Sequence, residues 1–369
     1  MIRGSGGGDG TGATGGGGAN LAGLRGHNAA LVLGLLRAAG LRGEAGPGRG
    51  ELAAGTGLTP QAVSKITARL AAEGLVAEAG RGASTGGKPR TLLRLVPEAR
   101  YAVGAHLDRD ELHVVRVDLL GRVVAEWRQE LDFGAAPEAV VGVVADAVVR
   151  ACSGGSPLGI GVAAPGPLDH RSGVLGRVTG FPGWEGYPLR AALEARIGLP
   201  GPGSVPASVP LLVDKDTNAG AAAAGAGPGP GSGSSVYLHV GTGLGAGLRL
   251  GGAVYRGSRS GAGEFGHQVL LLDGPACRCG ARGCAEVLCL EAVARGDFAR
   301  AARVLGEAAA NLVALLDVDR VLLGGRVVAA APEVFVEGRE GRHARPPLQG
   351  PLRIRHRPRR GQPRDPRLP

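Results

Sequence analysis

Apolar positions recur three and four apart over two early stretches of the chain, then alternate over a third, and this change of period divides it. Asn28 to Ala39 (NAALVLGLLRAA) has the apolar density of a helix, with Leu31, Leu35 and Leu36 available for one face. After a Gly/Pro loop, a short helix is predicted at Glu51 to Ala54, then a tight turn through Gly55 and Gly57, then a second helix. Thr59 suits the N-cap of that helix and Pro60 its first position, so the start is fixed. Val63, Ile66 and Leu70 form its buried face, which turns Gln61, Ser64, Lys65, Ala68 and Arg69 outward. Leu75 to Glu78 and Thr91 to Val96 read as two strands around the cationic loop RGASTGGKPR.

From Tyr101 the period becomes two. YAVGAHLD, ELHVVRVDL and GRVVAEWRQEL predict a three-stranded meander turning at Gly121. A helix follows from Pro137 to about Ala151, then a buried strand LGIGVAA that stops at Pro165-Gly166-Pro167. A further buried strand, Leu211 to Asn218 (LLVDKDTN), ends in polar residues, and a long helix is predicted at Phe298 to Leu316. Strands alternating with helices predict an α/β domain.

Composition changes the picture at the ends. The 369 residues include 69 Gly and 25 Pro, heavily clustered. Residues 1–20 have almost nothing to bury and read as a disordered leader. Gly198 to Pro210 and Gly225 to Ser235 read as flexible insertions, and residues 338–369 as an irregular Arg/Pro-rich tail. The net charge of +10 is uneven. Ten Arg face only Glu340 and Asp365 in that tail, and ten Lys/Arg face four Glu between Asn20 and Leu95, while the middle is net acidic.

The basic N-terminal segment has the order of a winged helix-turn-helix. A capped helix that presents amide, hydroxyl and cation near its N-terminal end is what such proteins place in the major groove. Gln61, Ser64, Lys65 and Arg69 are the candidate base and phosphate contacts, and Arg81, Lys88 and Arg90 of the wing would reach phosphates or a narrow minor groove. Residues 21–97 are therefore predicted to bind a double-stranded DNA operator, and as a homodimer, because paired half-sites need paired modules. The alternative is a small helical interaction module whose charges are merely solvated.

The densest chemistry runs from Gly261 to Glu286, GAGEFGHQVLLLDGPACRCGARGCAE. His267, Cys277, Cys279 and Cys284 have the types and spacing of one tetrahedral site, and a Cys₃His set without an open position suits structural Zn²⁺. The alternative is three reduced cysteines in a loop. Only Cys152 and Cys289 remain, too few for a disulfide framework, which points to a reducing compartment. With no apolar run long enough to cross a bilayer, a cytoplasmic location without membrane partners is expected. A metal-held His267 leaves one ring nitrogen outward, and Glu264 and Glu286 add carboxylate acceptors, a set that suits a ligand rich in hydroxyls.

The pair E-x-G-H and C-x-C-G-x-x-G-C-x-E resembles the ROK family of repressors, open reading frames and sugar kinases, and both motifs are complete in this chain. The resemblance covers Tyr101 to about Val328 and implies a two-lobed, actin-like (ribonuclease H-like) domain, here 98–337, after the winged helix-turn-helix. The N-terminal segment is similar to the DNA-binding domain of ROK-type repressors, whose wing ends in G-[RK]-P, here Gly87-Lys88-Pro89. Asp216 matches the aspartate that takes the proton from a sugar hydroxyl in the family's kinases, and Asn218 matches too, but Lys215 replaces an Asn. Val240 to Gly247 (VGTGLGAG) resembles a phosphate loop, with Gly241, Thr242 and Gly243 facing nucleotide, and VLLGG at Val321 to Gly325 an adenosine-side motif.

The family's D-x-G-x-T, however, is Asp108-Arg109-Asp110-Glu111-Leu112, which puts an anion where phosphate would sit and speaks against ATP. Phe181 to Tyr187 (FPGWEGY) resembles the loop over the sugar, with Trp184 either core or ligand contact. The resemblance implies a bacterial sugar-responsive regulator, most simply a repressor, whose sugar or sugar phosphate effector is held by Asp216, Asn218, Glu264, His267 and Glu286. The alternative is a sugar kinase with Asp216 as general base.

Overall fold

The computed structural model describes residues 21–82, 90–153, 155–198, 205–224, 233–337 and 353–356. The leader, the wing loop with Lys88 and much of the two Gly/Pro/Ser insertions lie outside the described residues. The chain divides into two compact units, Met1–Val96 and Pro97–Pro369.

In the first unit, α1 (Leu21–Arg42) begins earlier than its apolar density suggests and buries Ala29, Val32, Leu36 and Ala39. Leu31, expected on that face, is instead exposed, because a 3.6-residue stripe centred on Val32 leaves it at the edge. Next comes α2 (Arg49–Thr56), whose first turn is capped by the Glu51 carboxylate accepting from the Gly48 amide at 2.8 Å. Helix α3 (Pro60–Ala72) starts at the expected cap, the Thr59 hydroxyl accepting from the Ala62 amide at 3.2 Å. Val63 and Leu70 are buried as expected. Thr67 rather than Ile66 completes the face, and its hydroxyl donates to the Ser64 carbonyl at 3.2 Å, so the burial leaves no donor unpaired. The strands β1 (Val76–Arg81) and β2 (Thr91–Leu95) pair antiparallel and complete the winged helix-turn-helix order.

The second unit builds one sheet pattern twice. Strands β3 (Tyr101–Leu107), β4 (Glu111–Asp118) and β5 (Val123–Glu130) form the expected meander. Helix α4 (Pro137–Ala151) then leads to β6 (Ile160–Ala164), the small hairpin β7 (Leu168–Asp169) and β8 (Val174–Leu175), α5 (Leu189–Ile197) and β9 (Leu211–Lys215). The strand order is β5-β4-β3-β6-β9, with β6 and β9 running parallel to β3.

Across α6 (Asp216–Ala224) the pattern repeats. Strands β10 (Ser235–Val240), β11 (Leu244–Leu250) and β12 (Ala253–Tyr255) make the second meander. Helices α7 (Ala285–Ala294) and α8 (Phe298–Leu316) lead to β13 (Arg320–Gly324), and α9 (Arg326–Ala330) and α10 (Pro332–Glu337) to β14 (Arg353–His356). The order is β12-β11-β10-β13-β14, with β13 parallel to β10 and β14 parallel to β13. This duplication gives the two-lobed, actin-like arrangement. Strand β14 falls in the stretch expected to be irregular, and four residues are too few for a period to show.

Each lobe has its own core. In the first, Leu107, Leu112 and Val114 meet Val140, Val144 and Val148 of α4. The end of α4 is finished from the sheet: Arg116 donates to the Ala151 carbonyl at 2.9 Å and Tyr101 to that of Cys152 at 2.8 Å, which satisfies carbonyls the helix leaves open. Trp184 belongs to this core, only 1% exposed, stacked 4.5 Å from Phe133 and donating its indole N–H to the Phe133 carbonyl. In the second lobe, Ala301, Ala302, Leu305, Ala308 and Ala309 line α8 at helical spacing, and their small side chains let α7 lie close.

Candidate functional site

The segment after β12 folds into a compact turn system that collects the His and Cys side chains. His267 ends a single 3₁₀ turn, Phe265–His267, and Cys284 sits at the N-cap of α7. Between them the Cys277 amide donates to the Ala281 carbonyl at 2.8 Å, which closes a tight loop around Cys279. Gly283 has φ +62°, and a Cβ there would run into the Leu271 carbonyl, so only glycine brings Cys284 back to the set.

One ligand atom from each of His267, Cys277, Cys279 and Cys284 lies within 4.8 Å of all the others. The Cys279 and Cys284 sulfurs are 3.7 Å apart, and the Cys277 sulfur is 3.7 Å from His267 Nδ1. Tetrahedral Zn–S bonds of about 2.3 Å place sulfurs roughly 3.8 Å apart, so the spacing fits such an ion. Burial raises the Cys277 thiol and pushes Cys284 up to about 12, whereas the Ala281 amide lowers Cys279. A metal would displace these thiol protons. With Nδ1 on the sulfur side, Nε2 of His267 is left for the opposite side.

Glu264 precedes this turn and is partly exposed. Against it stands Lys215, the last residue of β9 and 4% exposed, whose ammonium donates to the Ala262 carbonyl at 2.7 Å and lies 3.3 Å from Glu264 Oε1. Asp216 starts α6 beside it, one oxygen taken by the Thr217 amide at 2.6 Å. Asn218 is buried and gives its amide to Asp214 at 2.8 Å, while the other Asp214 oxygen takes Arg256 at 2.9 and 2.7 Å. Glu286 accepts from the Leu244 amide at 2.9 Å. Of the five residues expected around a polyol, Glu264 and His267 thus share one turn, Asp216 caps its own helix start, Glu286 supports the β11 entry, and Asn218 is turned inward onto Asp214, while Lys215 links the start of α6 to the Glu264 turn.

Across the lobes, the turn Gly241-Thr242-Gly243 faces Asp108 to Asp110. The Thr242 hydroxyl donates to Asp108 at 2.8 Å, Arg109 donates to the Thr242 carbonyl at 3.3 Å, and Arg326 donates to Asp110 at 2.8 Å. Reading the sequence alone, nothing offsets Asp108 and Asp110. The structure corrects this: Arg326 pairs with Asp110 and lies 3.9 Å from Asp108, so one cation is shared by the two anions. Burial by itself would raise the Asp108 carboxyl, but the Arg109 amide, the Thr242 hydroxyl, His106 and Arg326 together hold it below the usual range. His239, on the neighbouring strand β10, is lowered by burial, against the pull of Asp216.

In the first unit, Gln61, Ser64, Lys65, Ala68 and Arg69 are all exposed on α3, opposite Val63, Thr67 and Leu70. Arg69 lies 3.6 Å from Glu73, and Arg90 donates to Glu51 at 2.8 Å, so both are already paired with carboxylates. No local pattern marks Arg256 or Arg326 as site residues, since their partners lie 42 and 216 positions away.

Among the described residues, no helix is long and apolar enough to cross a membrane. Residues 134–295 match the model of the ROK family. A putative xylose repressor of Caldicellulosiruptor sp. (strain Rt8B.4) is 30% identical over 235 residues, 62% of this chain and 56% of that protein, so the chain spans about half the length of that curated relative. A solved ROK family transcriptional regulator, described as a homolog of the E. coli MLC protein, superposes with a TM-score of 0.63 at 21% identity, covering 86% of this chain and 87% of the other. A ROK hexokinase from Thermus thermophilus superposes with a TM-score of 0.50 at 30% identity, covering 69% and 92%.

Proposed function

The chain belongs to the ROK family, and from that membership we propose that it is a sugar-responsive, DNA-binding transcriptional repressor acting as a homodimer in the bacterial cytoplasm. The observation that carries this reading is α3, which turns Gln61, Ser64, Lys65 and Arg69 outward from a buried Val63, Thr67 and Leu70 face. A capped helix with that exposed set has the donors, acceptors and charge to read base edges and phosphates in a major groove. The xylose repressor similarity supports the same direction.

In this reading a sugar or sugar phosphate lies against Asp216, Glu264, His267 and Glu286, with Asn218 holding Asp214 in place. Its effect on DNA affinity then equals its preference for one of two arrangements of the protein. His267, Cys277, Cys279 and Cys284 would hold a Zn²⁺ ion, which would brace the turn that carries Glu264 and His267 and take no part in bond making. Lys88 and Arg90 of the wing are assigned to phosphate contact, Arg90 by exchanging Glu51 for the duplex.

The second reading, an ATP-dependent sugar kinase with Asp216 as base, is favoured by the Gly241-Thr242-Gly243 turn. It is opposed by the side chains set against that turn, because Asp108 takes the Thr242 hydroxyl and Asp110 takes Arg326. Fluorescence anisotropy with DNA from the chain's own promoter region, with and without D-xylose or D-glucose, tests the repressor. Sequence-selective binding that a sugar weakens is expected. Binding no tighter than to scrambled duplex at moderate salt would overturn the reading, and ATP-dependent phosphorylation lost in Asp216→Asn would put the kinase in its place.

A further inference from the structure

Lys215 is a buried cation built into the site by its neighbours. Its stem runs beside Gly166, where a Cβ would lie 2.5 Å from Lys215 Cδ and 2.9 Å from Cγ. Its ammonium ends beside Gly263, where a Cβ would lie 3.1 Å from Nζ. Two separate segments therefore leave side-chain space along this one residue. Taking an ammonium out of water is costly unless it is paired and hydrogen-bonded, and among the described residues Glu264 is the carboxylate that pairs with it.

An ammonium has three donors. One goes to the Ala262 carbonyl and one to Glu264 Oε1, and the third has no acceptor among the described residues. Glu264 likewise has one oxygen on Lys215 and a second without a partner among the described residues, and its side chain is 45% exposed. The pair thus leaves one N–H and one carboxylate oxygen without a partner among the described residues. We propose that Lys215 is a positioning residue that presents Glu264 to the ligand, and that the two together read a vicinal diol of a sugar. One hydroxyl donates to the second Glu264 oxygen, and the adjacent hydroxyl oxygen accepts the third ammonium proton.

The same ammonium ties the segment 256–264 to the first lobe, together with Arg256 on Asp214 and Ser260, whose hydroxyl lies 2.8 Å from His170 Nδ1. Lys215 therefore acts on the carboxylate both directly and through the carbonyl of Ala262, two residues upstream of it. An uncharged side chain of equal length would leave Glu264 free to turn to solvent.

The assignment rests on the sugar-site reading, and calorimetry separates the two. D-xylose and D-glucose are titrated into the native chain, Lys215→Met, Lys215→Gln, Glu264→Gln and the Met/Gln double variant. Each single change is expected to weaken sugar binding about ten- to a hundredfold, the range for losing a hydrogen bond to a charged group. The double variant is expected to lose no more than the worse single, because both changes remove one unit. Ligand-free amide exchange over 256–264 is expected to quicken in Lys215→Met and Lys215→Gln. Native-like sugar affinity in a folded Lys215 variant, or additive losses in the double, would overturn the assignment alone. If neither sugar binds the native chain, the sugar site falls and this assignment with it.

Discussion

Arg326, the first residue of α9, donates to Asp110 at 2.8 Å and lies 3.9 Å from Asp108, so one cation of the second lobe rests on two anions of the first. Thr242 and Arg109 add two further contacts across the same gap. Carboxylates of the first lobe thus meet a hydroxyl and a guanidinium of the second.

Replacing Arg326 with Ala should loosen the lobes while changing global stability little. Both partners are partly exposed, and such pairs contribute about 0–1 kcal/mol. Amide exchange at 241–243 should quicken without a matching fall in melting temperature. Asp110→Gly should do more, because it removes the anion and frees Arg326: a non-hydrolysable ATP analogue should raise the melting temperature of Asp110→Gly but not of the native chain. A nucleotide-induced shift in the native chain would contradict the occupied gap.

Acid should weaken the same contacts. Asp108 has a folded pKa below its unfolded value, so its contribution is full above the ordinary carboxylate range, about pH 4, and fades as pH falls through the folded value. Urea unfolding of the native chain and Asp108→Asn should therefore differ most near neutral pH and converge in acid. A constant difference between the two proteins down to pH 2 would show that Asp108 acts by packing and not by charge.

The His267, Cys277, Cys279 and Cys284 cluster gives a prediction with two readouts. Cys279→Ser should abolish one equivalent of bound zinc by elemental analysis and also the sugar-induced thermal shift, because in the proposed reading the ion would brace the turn that His267 and Glu264 share. The exposed Cys279 is the ligand whose change disturbs packing least. Loss of zinc with an intact sugar shift would remove the bracing role from the ion.

What could be read from the chain divides by range. The α4 and α8 helices, Pro137–Ala151 and Phe298–Leu316, were legible because a 3.6-residue period is a local property. The start of α3 was legible because Thr59 and Pro60 act within one turn. The Cys and His set was legible because its ligands lie close in sequence and few sites accept that spacing. Thr67 taking the place of Ile66 was not, since the Ser64 carbonyl that makes the burial tolerable is a folded-state partner. Nor were Arg326 on Asp110 or Lys215 on Glu264, where sequence distance hides the partner. In Lys215 the sequence showed a changed donor set, and only the fold showed which carboxylate and which carbonyl it meets.

On α3 the exposed residues should separate by what they touch. Lys65 is assigned to phosphate, so Lys65→Ala should weaken binding to specific and scrambled duplex alike and lower the slope of log affinity against log salt by about one. Gln61 has an amide that can pair with a base edge, so Gln61→Ala should cost about 1–3 kcal/mol on the operator and little on scrambled duplex. Both side chains are exposed and neither contributes to the Val63, Thr67 and Leu70 face, so the melting temperature should stay within a degree or two of native, as expected for surface changes of up to roughly 0.5 kcal/mol. Equal losses on both duplexes for Gln61→Ala would move that residue from base reading to backbone contact. An unchanged affinity and salt slope for Lys65→Ala would place the DNA-facing surface somewhere other than α3.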